Sequence, residues 1–532
     1  MAASAEISPT KYQYSITGFL RFIKEYAGQI TISMFFLLLA FGQKLFSNTF
    51  SIDTQALINN REALYTSWFE LERFGLVVTK KIFGVYQYNN ALASFTMVTF
   101  FGISAIIWAY LICRPDNSRT LQPAFFIIPY VASPIFAEML GFLLLGPEIS
   151  AASTLIAVAL MQWNNALSAT GRKEIALLAI GAIICTVVSF TMYLAMVTFF
   201  ITGTAILFVL NYSNKEHAEK TKRESLTFLA GSVLIFAISY VSYKLLNSLA
   251  MHIKGVTTNA YITDQSHWGK DSFRTIIHNI GRHAIELYSG NGIFYSGIFT
   301  FTIIIALIAS IILMFKKCIT IFAGVVSFLI ALSPMIMSFV LGGNPSVRTE
   351  MTYPLAFSFA AVIAISDVEK AELPILNQFN INARKTLAWV LIIAIGWNQA
   401  LITSRIFYTE NVVFTQDVLT AQEIKTRIDA LGLGEHPNEP VVFVGNHTAK
   451  CNSDCYPTSQ LGLTGRSMLE IGFSTAHGTG VKTQFMNDVL GVSYNGATET
   501  QINKSEINAT TMPHWPNPGS VAKKDGVIIV NF

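Results

Sequence analysis

Long apolar stretches separated by short polar ones set the pattern of this chain from about residue 27 to residue 404. An apolar run of roughly 18 residues or more crosses about 30 Å of hydrocarbon as a helix that closes its own backbone hydrogen bonds. The pattern predicts eleven such spans: Ala27 to Phe46, Ala91 to Cys113, Leu121 to Ser133, Ile149 to Ala166, Ile175 to Thr191, Leu194 to Asn211, Leu226 to Leu246, Tyr295 to Phe315, Cys318 to Val340, Tyr353 to Ser366 and Thr386 to Ser404. The third and tenth are short. Ahead of the first, Ile16, Phe19, Leu20, Ile23 and Tyr26 share one helical face beside Arg21 and Lys24, as in a helix lying on a membrane surface. Beyond Arg405 the pattern changes. "DVLTAQEIKTRIDALGLGEHPNEPVVFVGN" reads as an amphipathic helix, a glycine turn and a short strand, and "MPHWPNPGS" introduces a last strand, "DGVIIVNF". The expected architecture is a polytopic α-helical membrane domain over residues 1–404 followed by an α/β domain over residues 405–532.

Composition agrees. Of the 532 residues 52% are hydrophobic and 13% charged, where a soluble domain carries about a quarter charged residues. A soluble enzyme is excluded, and a formal net charge of +4 gives no reason to expect nucleic acid as a partner; the membrane lipid is the expected surrounding. The first 26 residues are polar or mixed, so the run after them is read as a first span and not a cleaved signal. Basic residues place the loops holding Arg114 and Arg119, Arg172 and Lys173, Lys215 to Arg223, Lys316 and Lys317, and Arg384 and Lys385 inside. With an odd number of spans, the stretch after Phe46, the loop from Met251 to Phe294, the loop from Leu341 to Thr352 and all that follows Ser404 then lie outside. Cys451 and Cys455 have the spacing of a small local disulfide in an oxidising compartment, or of chance; zinc would need further ligands, and only His447 stands close. Cys113, Cys185 and Cys318 lie in or beside spans and read as small apolar filler.

Polytopic architecture suits a transporter or an enzyme acting on a lipid-linked substrate. Transporters place ionisable groups at mid-membrane. Here the span centres are nearly free of charge, with Glu138 the main exception, and ionisable and aromatic residues gather in the external loops: Asp53, Glu72 and Arg73 in the first, Asp264, His267, Trp268, Lys270, Asp271, Arg274 and Arg282 in the largest, Arg348 and Glu350 in a later one. Chemistry at the outer surface fits better, and a flippase or transporter of lipid-linked sugars is the alternative.

The first external loop "SIDTQ...ERFG", the turn "SPIFAEMLGF", Tyr193 near an outer helix end and the terminal "MPHWPNPGSV...GVIIVNF" resemble, in this order, the type II serotype-converting glucosyltransferases of bacteria and phages, which are similar in architecture to the GT-C membrane glycosyltransferases. The resemblance implies an inverting glucosyl transfer from a polyprenyl (undecaprenyl) phosphate carrier to a sugar hydroxyl of the lipopolysaccharide O-antigen, at the periplasmic face of the inner membrane. The family usually shows an Asp-Asp pair after the first span and a Gly before the Arg. This chain has Asp53-Thr54 and Glu72-Arg73, and the expected reaction uses no metal and no other cofactor.

Such a reaction needs a base for the attacking hydroxyl, cations for the leaving phosphate and groups that orient the sugars. Asp53, Glu72 and Glu138 are the candidate carboxylates, and Arg73, Tyr193, His267, Lys270 and Arg348 the candidate substrate-binding residues. Each has a plainer reading. Asp53 begins a helical pattern and suits an N-cap; Arg73 shares a polar face with Glu62 and Lys80; Glu138, after Ser-Pro, suits the capping of backbone amides. Arg348, in the turn "GGNPSVRTE", suits either a phosphate fork or a lipid headgroup contact. Long loops collect residues such as His267 and Lys270 in any case.

Overall fold

The computed structural model describes residues 13–114, 121–212, 218–259, 261, 264–315, 321–370, 380–434 and 437–532. Arg119, Lys215, Lys316, Lys317 and Cys318, which entered the reading of orientation and cysteine use, lie outside these residues.

The described chain is mostly helical. It begins with α1 (Ile16–Glu25) and α2 (Ala27–Phe46), continues through three short helices α3 (Thr54–Asn59), α4 (Arg61–Glu70) and α5 (Phe74–Phe83), and enters a bundle formed by α6 (Asn90–Ile112), α7 (Pro123–Ala132), α8 (Pro134–Leu140), α9 (Gly146–Ala166), α10 (Arg172–Met192), α11 (Met196–Tyr212) and α12 (Ala218–Lys254). Then come α13 (Phe273–Ser289), α14 (Gly297–Phe315), α15 (Ile321–Leu332), α16 (Ile336–Leu341), α17 (Thr352–Lys370) and α18 (Ile381–Asp429).

Each predicted span overlaps helical structure among the described residues, the ninth being broken into α15 and α16 by a 3-10 turn at Ser333–Met335, but fewer are long and apolar enough to cross a bilayer on their own. Among the described residues six meet that test: α2, α6, α10, α12 over Arg223–Lys254, the Ile321–Leu341 segment and α18. A seventh is reached if α7 and α8, bent by 56° at their junction, count as one. The bend follows from Ser133 holding extended backbone before Pro134, which cannot continue the helix of α7. Met196–Tyr212, Gly297–Ile312 and Thr352–Ser366 are apolar but shorter, and α9 carries Glu148, Ser150, Ser153 and Asn164 buried within the bundle. Ser153 is the polar centre of that bundle: its hydroxyl receives hydrogen bonds from Trp108 Nε1 at 3.0 Å and Ser104 at 3.1 Å.

Two buried ion pairs tie helices together. Lys44 of α2 meets Glu410 of α18 at 2.6 Å, and Lys80 of α5 meets Glu148 of α9 at 3.1 Å, all four side chains being buried. Between α12 and α14 lies α13, which turns Ile276, Ile280, His283 and Leu287 into the protein and leaves Phe273, Ile277 and Ile285 exposed beside Arg274 and Arg282. A helix of that kind rests at the headgroup level of a bilayer.

The last predicted span and the amphipathic helix expected after it are one helix of 49 residues, α18, continuous across residue 404. No turn signal interrupts "ALITSRIFYTENVVFTQDVL", so the change from apolar to mixed composition alters only what the helix packs against. Beyond it, β1 (Val441–Val444), α19 (Thr475–Leu490), α20 (Glu499–Ala509), β2 (Val521–Lys524) and β3 (Val527–Asn531) form a three-stranded sheet of order β1-β3-β2 with helices against it. β1 runs parallel to β3, with Val441 beside Ile528, and β2 runs antiparallel to β3, with Val521 beside Val530. Cys451 and Cys455 form a disulfide. This region rests on the loop between α2 and α4. The rings of Phe50, Phe414 and Phe485 meet at 5.1 to 6.1 Å, and Asn59 of α3 donates to Asp488 of α19 at 2.8 Å.

Candidate functional site

Asp53 follows Ile52 at the head of α3, and its backbone lies in the left-handed region with φ +70° and ψ −20°. Asp is one of the few residues that tolerate this conformation. Its carbonyl accepts from Leu57 at 3.0 Å and starts the helix, but its side chain makes no capping hydrogen bond. The capping role is therefore absent, and Arg348, His477 and Arg73 are the groups whose fields act on the carboxylate. Burial holds its pKa above the ordinary carboxylate value, and the fields of these three groups, in that order, draw it back down.

Arg73 reaches this place from the start of α5. Gly75, two residues on, lies against the end of α10 so closely that a Cβ there would sit 2.7 Å from the Thr191 carbonyl carbon. Such contact is open only to glycine. It sets Arg73 beside α10, and the guanidinium lies 5.0 Å from the ring centroid of Tyr193, the buried residue that ends that helix, a cation–π arrangement. Arg348 sits in the middle of a single 3-10 turn, Val347–Thr349, and its Nη2 donates to the Tyr261 hydroxyl at 3.4 Å. Three loops distant in sequence thus bring Asp53, Arg73, Tyr193 and Arg348 to one region.

Glu138 borders the same region, in the field of Arg348, but its carboxylate is engaged. Oε1 accepts the Leu463 amide at 2.6 Å and Oε2 the Thr464 amide at 3.2 Å. Gly462 approaches so closely that a Cβ would lie 2.1 Å from Oε1. Glu138 thus fastens α8 to the C-terminal region, the amide-capping alternative read from the sequence. Glu72 is also engaged: it points toward α12, where it accepts from the Tyr243 hydroxyl at 2.9 Å and pairs with Lys244 at 2.7 Å. His267 and Lys270 are exposed and bound locally, His267 to Asp271 at 2.8 Å and Lys270 to Asp264 at 2.9 Å. Their loop rests on the turn that leads to Arg348, through the His267 amide on the Leu341 carbonyl at 2.8 Å and Trp268 Nε1 on the Phe339 carbonyl at 2.9 Å.

Two neighbours went unread in the sequence. Tyr261 is one aromatic residue among several in a long loop, and nothing local marks it. His477 lies in the first turn of α19, whose cap Ser474 accepts the His477 amide at 3.2 Å. That cap is legible as "STAH", but not its placement beside Asp53, more than four hundred residues earlier. The Asp53 carboxylate and burial act on His477 in opposite directions, and burial is the stronger, so its pKa lies below the ordinary histidine value.

No curated protein and no solved structure matches this chain. The model of one family does, that of the glucosyl transferase GtrII, over residues 16–365. The matched stretch carries Asp53, Arg73, Tyr193 and Arg348 and stops short of α18 and the C-terminal sheet. With well over half of its 532 residues matched, the chain belongs to the GtrII glucosyl transferase family.

Proposed function

We propose that this membrane glucosyltransferase takes its glucosyl group from a polyprenyl-phosphate carrier and places it on an O-antigen sugar hydroxyl at the periplasmic face, with Asp53 as general base. One observation carries the assignment of the base: of the three candidate carboxylates, Glu72 and Glu138 are consumed by protein partners, whereas Asp53 has no hydrogen bond from its side chain among the described residues and lies in the field of two arginines.

The step balances simply. Asp53 takes the proton of the acceptor hydroxyl, whose oxygen bonds to the anomeric carbon from the face opposite the carrier. The bond from that carbon to the phosphate oxygen breaks, and polyprenyl phosphate leaves with the electron pair. Arg348 and Arg73 neutralise the departing phosphate, which already carries charge before the bond breaks. Tyr193 holds the Arg73 guanidinium in place. A raised pKa brings Asp53 closer to the range where a carboxylate takes up a proton readily. His267 and Lys270 act on the loop that supports Arg348 and not on the sugar. The reading includes eleven crossings with the C-terminal region outside, and the Cys451–Cys455 disulfide is of the kind an oxidising compartment maintains.

The test is Asp53→Asn in purified protein supplied with polyprenyl-phosphate-glucose and an O-antigen acceptor, with the product read by mass and NMR. Asparagine keeps the shape and tolerates the same backbone region, but accepts no proton. Donor binding is expected to persist while kcat falls by about two orders of magnitude or more. An active Asp53→Asn enzyme removes Asp53 as base.

A further inference from the structure

Two residues beyond Arg348, the side chain of Glu350 is fully buried. Its Oε1 lies 2.5 Å from His283 Nε2, and its Oε2 accepts from the Tyr295 hydroxyl. His283 and Tyr295 are themselves buried, at 1% and 6% exposure. The other ring nitrogen of His283, Nδ1, is buried without a hydrogen-bond partner. That vacancy decides the tautomer, since a proton on Nδ1 would be a buried donor with no acceptor. The proton sits on Nε2 and is given to Glu350. The Glu350 carboxylate thus accepts from two buried donors that favour its charged form, while burial, and to a lesser degree the field of Glu286, pushes its pKa up.

Burying a charge in this way contributes little to stability, since apolar residues of the same volume often do as well. The backbone shows what the arrangement fixes. The Glu350 amide donates to the Val347 carbonyl at 3.0 Å and closes the turn that has Arg348 at its centre, while the Glu350 carbonyl accepts from Tyr353 at 2.9 Å as α17 begins. The side chain of Glu350 ties that turn to α13 through His283 and to the start of α14 through Tyr295. α13 is the helix whose opposite side exposes Phe273, Ile277 and Ile285, so the anchor is referred to the level of the lipid surface.

We infer that Glu350, His283 and Tyr295 are positioning residues for Arg348, fixing its guanidinium at the depth where the phosphate of a lipid-linked donor lies. The inference rests on the phosphate-holding role proposed above for Arg348. It explains why a buried carboxylate stands two residues from the guanidinium without touching it: Glu350 orients the turn and leaves the positive charge available.

Steady-state kinetics on Arg348→Lys, Glu350→Gln, Tyr295→Phe and the Arg348→Lys/Glu350→Gln double variant test it, with donor and acceptor KM measured separately. In Glu350→Gln the amide oxygen can still accept from His283 Nε2, but the NH2 replaces the oxygen that accepts from Tyr295, so the Tyr295 hydroxyl must reverse and the charge that strengthens both hydrogen bonds is gone, and the turn loosens. The expected result is a donor KM raised about tenfold or more with acceptor KM unchanged, a smaller rise of the same kind in Tyr295→Phe, and a double variant no worse than Arg348→Lys alone. Losses that multiply in the double variant, or donor and acceptor KM rising together, overturn the inference while leaving Arg348 on the phosphate. A wild-type donor KM in Arg348→Lys instead removes the phosphate role and the inference with it. Should Glu350→Gln fail to fold, Tyr295→Phe decides: a donor KM equal to wild type counts against the inference.

Discussion

Glu138 separates a structural carboxylate from a chemical one, and its replacement has a calculable cost. Its two oxygens accept the amides of Leu463 and Thr464, and both the carboxylate and Thr464 are buried. In Glu138→Ala two amides lose their acceptor, at about 1–3 kcal/mol each, or about 2–6 kcal/mol together. Release of a carboxylate from a dry site offsets part of this, leaving about 2–4 kcal/mol. The loss falls on the contact between α8 and the 462–464 turn, so it is local. A shift of that size raises the open population of the turn by roughly 30- to 700-fold. Limited proteolysis of detergent-solubilised protein, scored by cleavage between residues 445 and 474, reads that population when closing outpaces cutting. In Glu138→Gln the retained carbonyl satisfies one amide while the new NH2 opposes the other, so about half the effect is expected, with kcat per folded molecule within tenfold of wild type. Gly462→Ala should open the same turn, because its Cβ would lie 2.1 Å from Glu138 Oε1. A Glu138→Gln enzyme as resistant to protease as wild type but reduced a hundredfold or more in kcat would refute the reasoning and make Glu138 the base.

Three further outcomes are expected. Because burial raises the pKa of Asp53 and the base must be ionised, kcat/KM should fall on acidification at a higher pH than an exposed aspartate would give; Arg73→Gln removes one of the cations that oppose the shift, so the acid limb should move further up, and an unmoved limb would count against Asp53. Asp488 is pushed up to about 6 by burial, and its Oδ2 is buried without a hydrogen-bond partner. A carboxyl whose folded pKa is raised binds its proton more tightly in the folded state, so stability is lost as pH rises from the unfolded value through about 6; Asp488→Asn should raise the unfolding midpoint at pH 7.5 and change it little at pH 4, and an equal change at both would be contrary. Lys44→Met leaves Glu410 buried and unpaired and should destabilise by about 3–5 kcal/mol, with most of that recovered in Lys44→Met/Glu410→Leu, as read by unfolding midpoints in detergent; a double variant no better than the single one would show that the pair matters for more than its charge.

Much of the fold was legible because periodicity and length are local properties. Ala27 to Phe46 was bounded to the residue, since charge and turn formers flank it on both sides. The third span was less legible. Its apolar run continues past Ser133, and only the stereochemistry of Ser133-Pro134 decides that the chain turns by 56° into α8. The division at residue 404 was misleading as a structural joint for the opposite reason. Hydropathy changes there while the helical period does not, and backbone structure follows the period. The C-terminal strands are visible in "VVFVG" and "DGVIIVNF", but their parallel pairing, with Val441 beside Ile528, joins segments too far apart for any local pattern to register.

Site chemistry is harder to read because it depends on what each carboxylate already holds. Asp53, Glu72 and Glu138 are alike in sequence: each is acidic and each lies near the end of an apolar or helical stretch. What separates them is a partner supplied from elsewhere, Lys244 and Tyr243 for Glu72 and the Leu463 and Thr464 amides for Glu138. No partner of that kind meets the Asp53 side chain among the described residues, and the feature that withholds one is its own backbone. With φ at +70° the side chain leaves the path that would carry it back over the first turn of α3, where the capping amides lie. A capping aspartate needs extended backbone, and this one has left-handed backbone. The conformation carries a cost that a cap would not, and such strain persists where the surrounding structure holds it in place. Here Phe50 is held by Phe414 and Phe485, and α19 packs across α3 through Asn59 and Asp488. The C-terminal region, which lies beyond the part of the chain that matches the family, thereby keeps the loop in the shape that leaves the carboxylate free. An exposed loop of the same sequence would be free to relax to the extended conformation and spend Asp53 on its own helix.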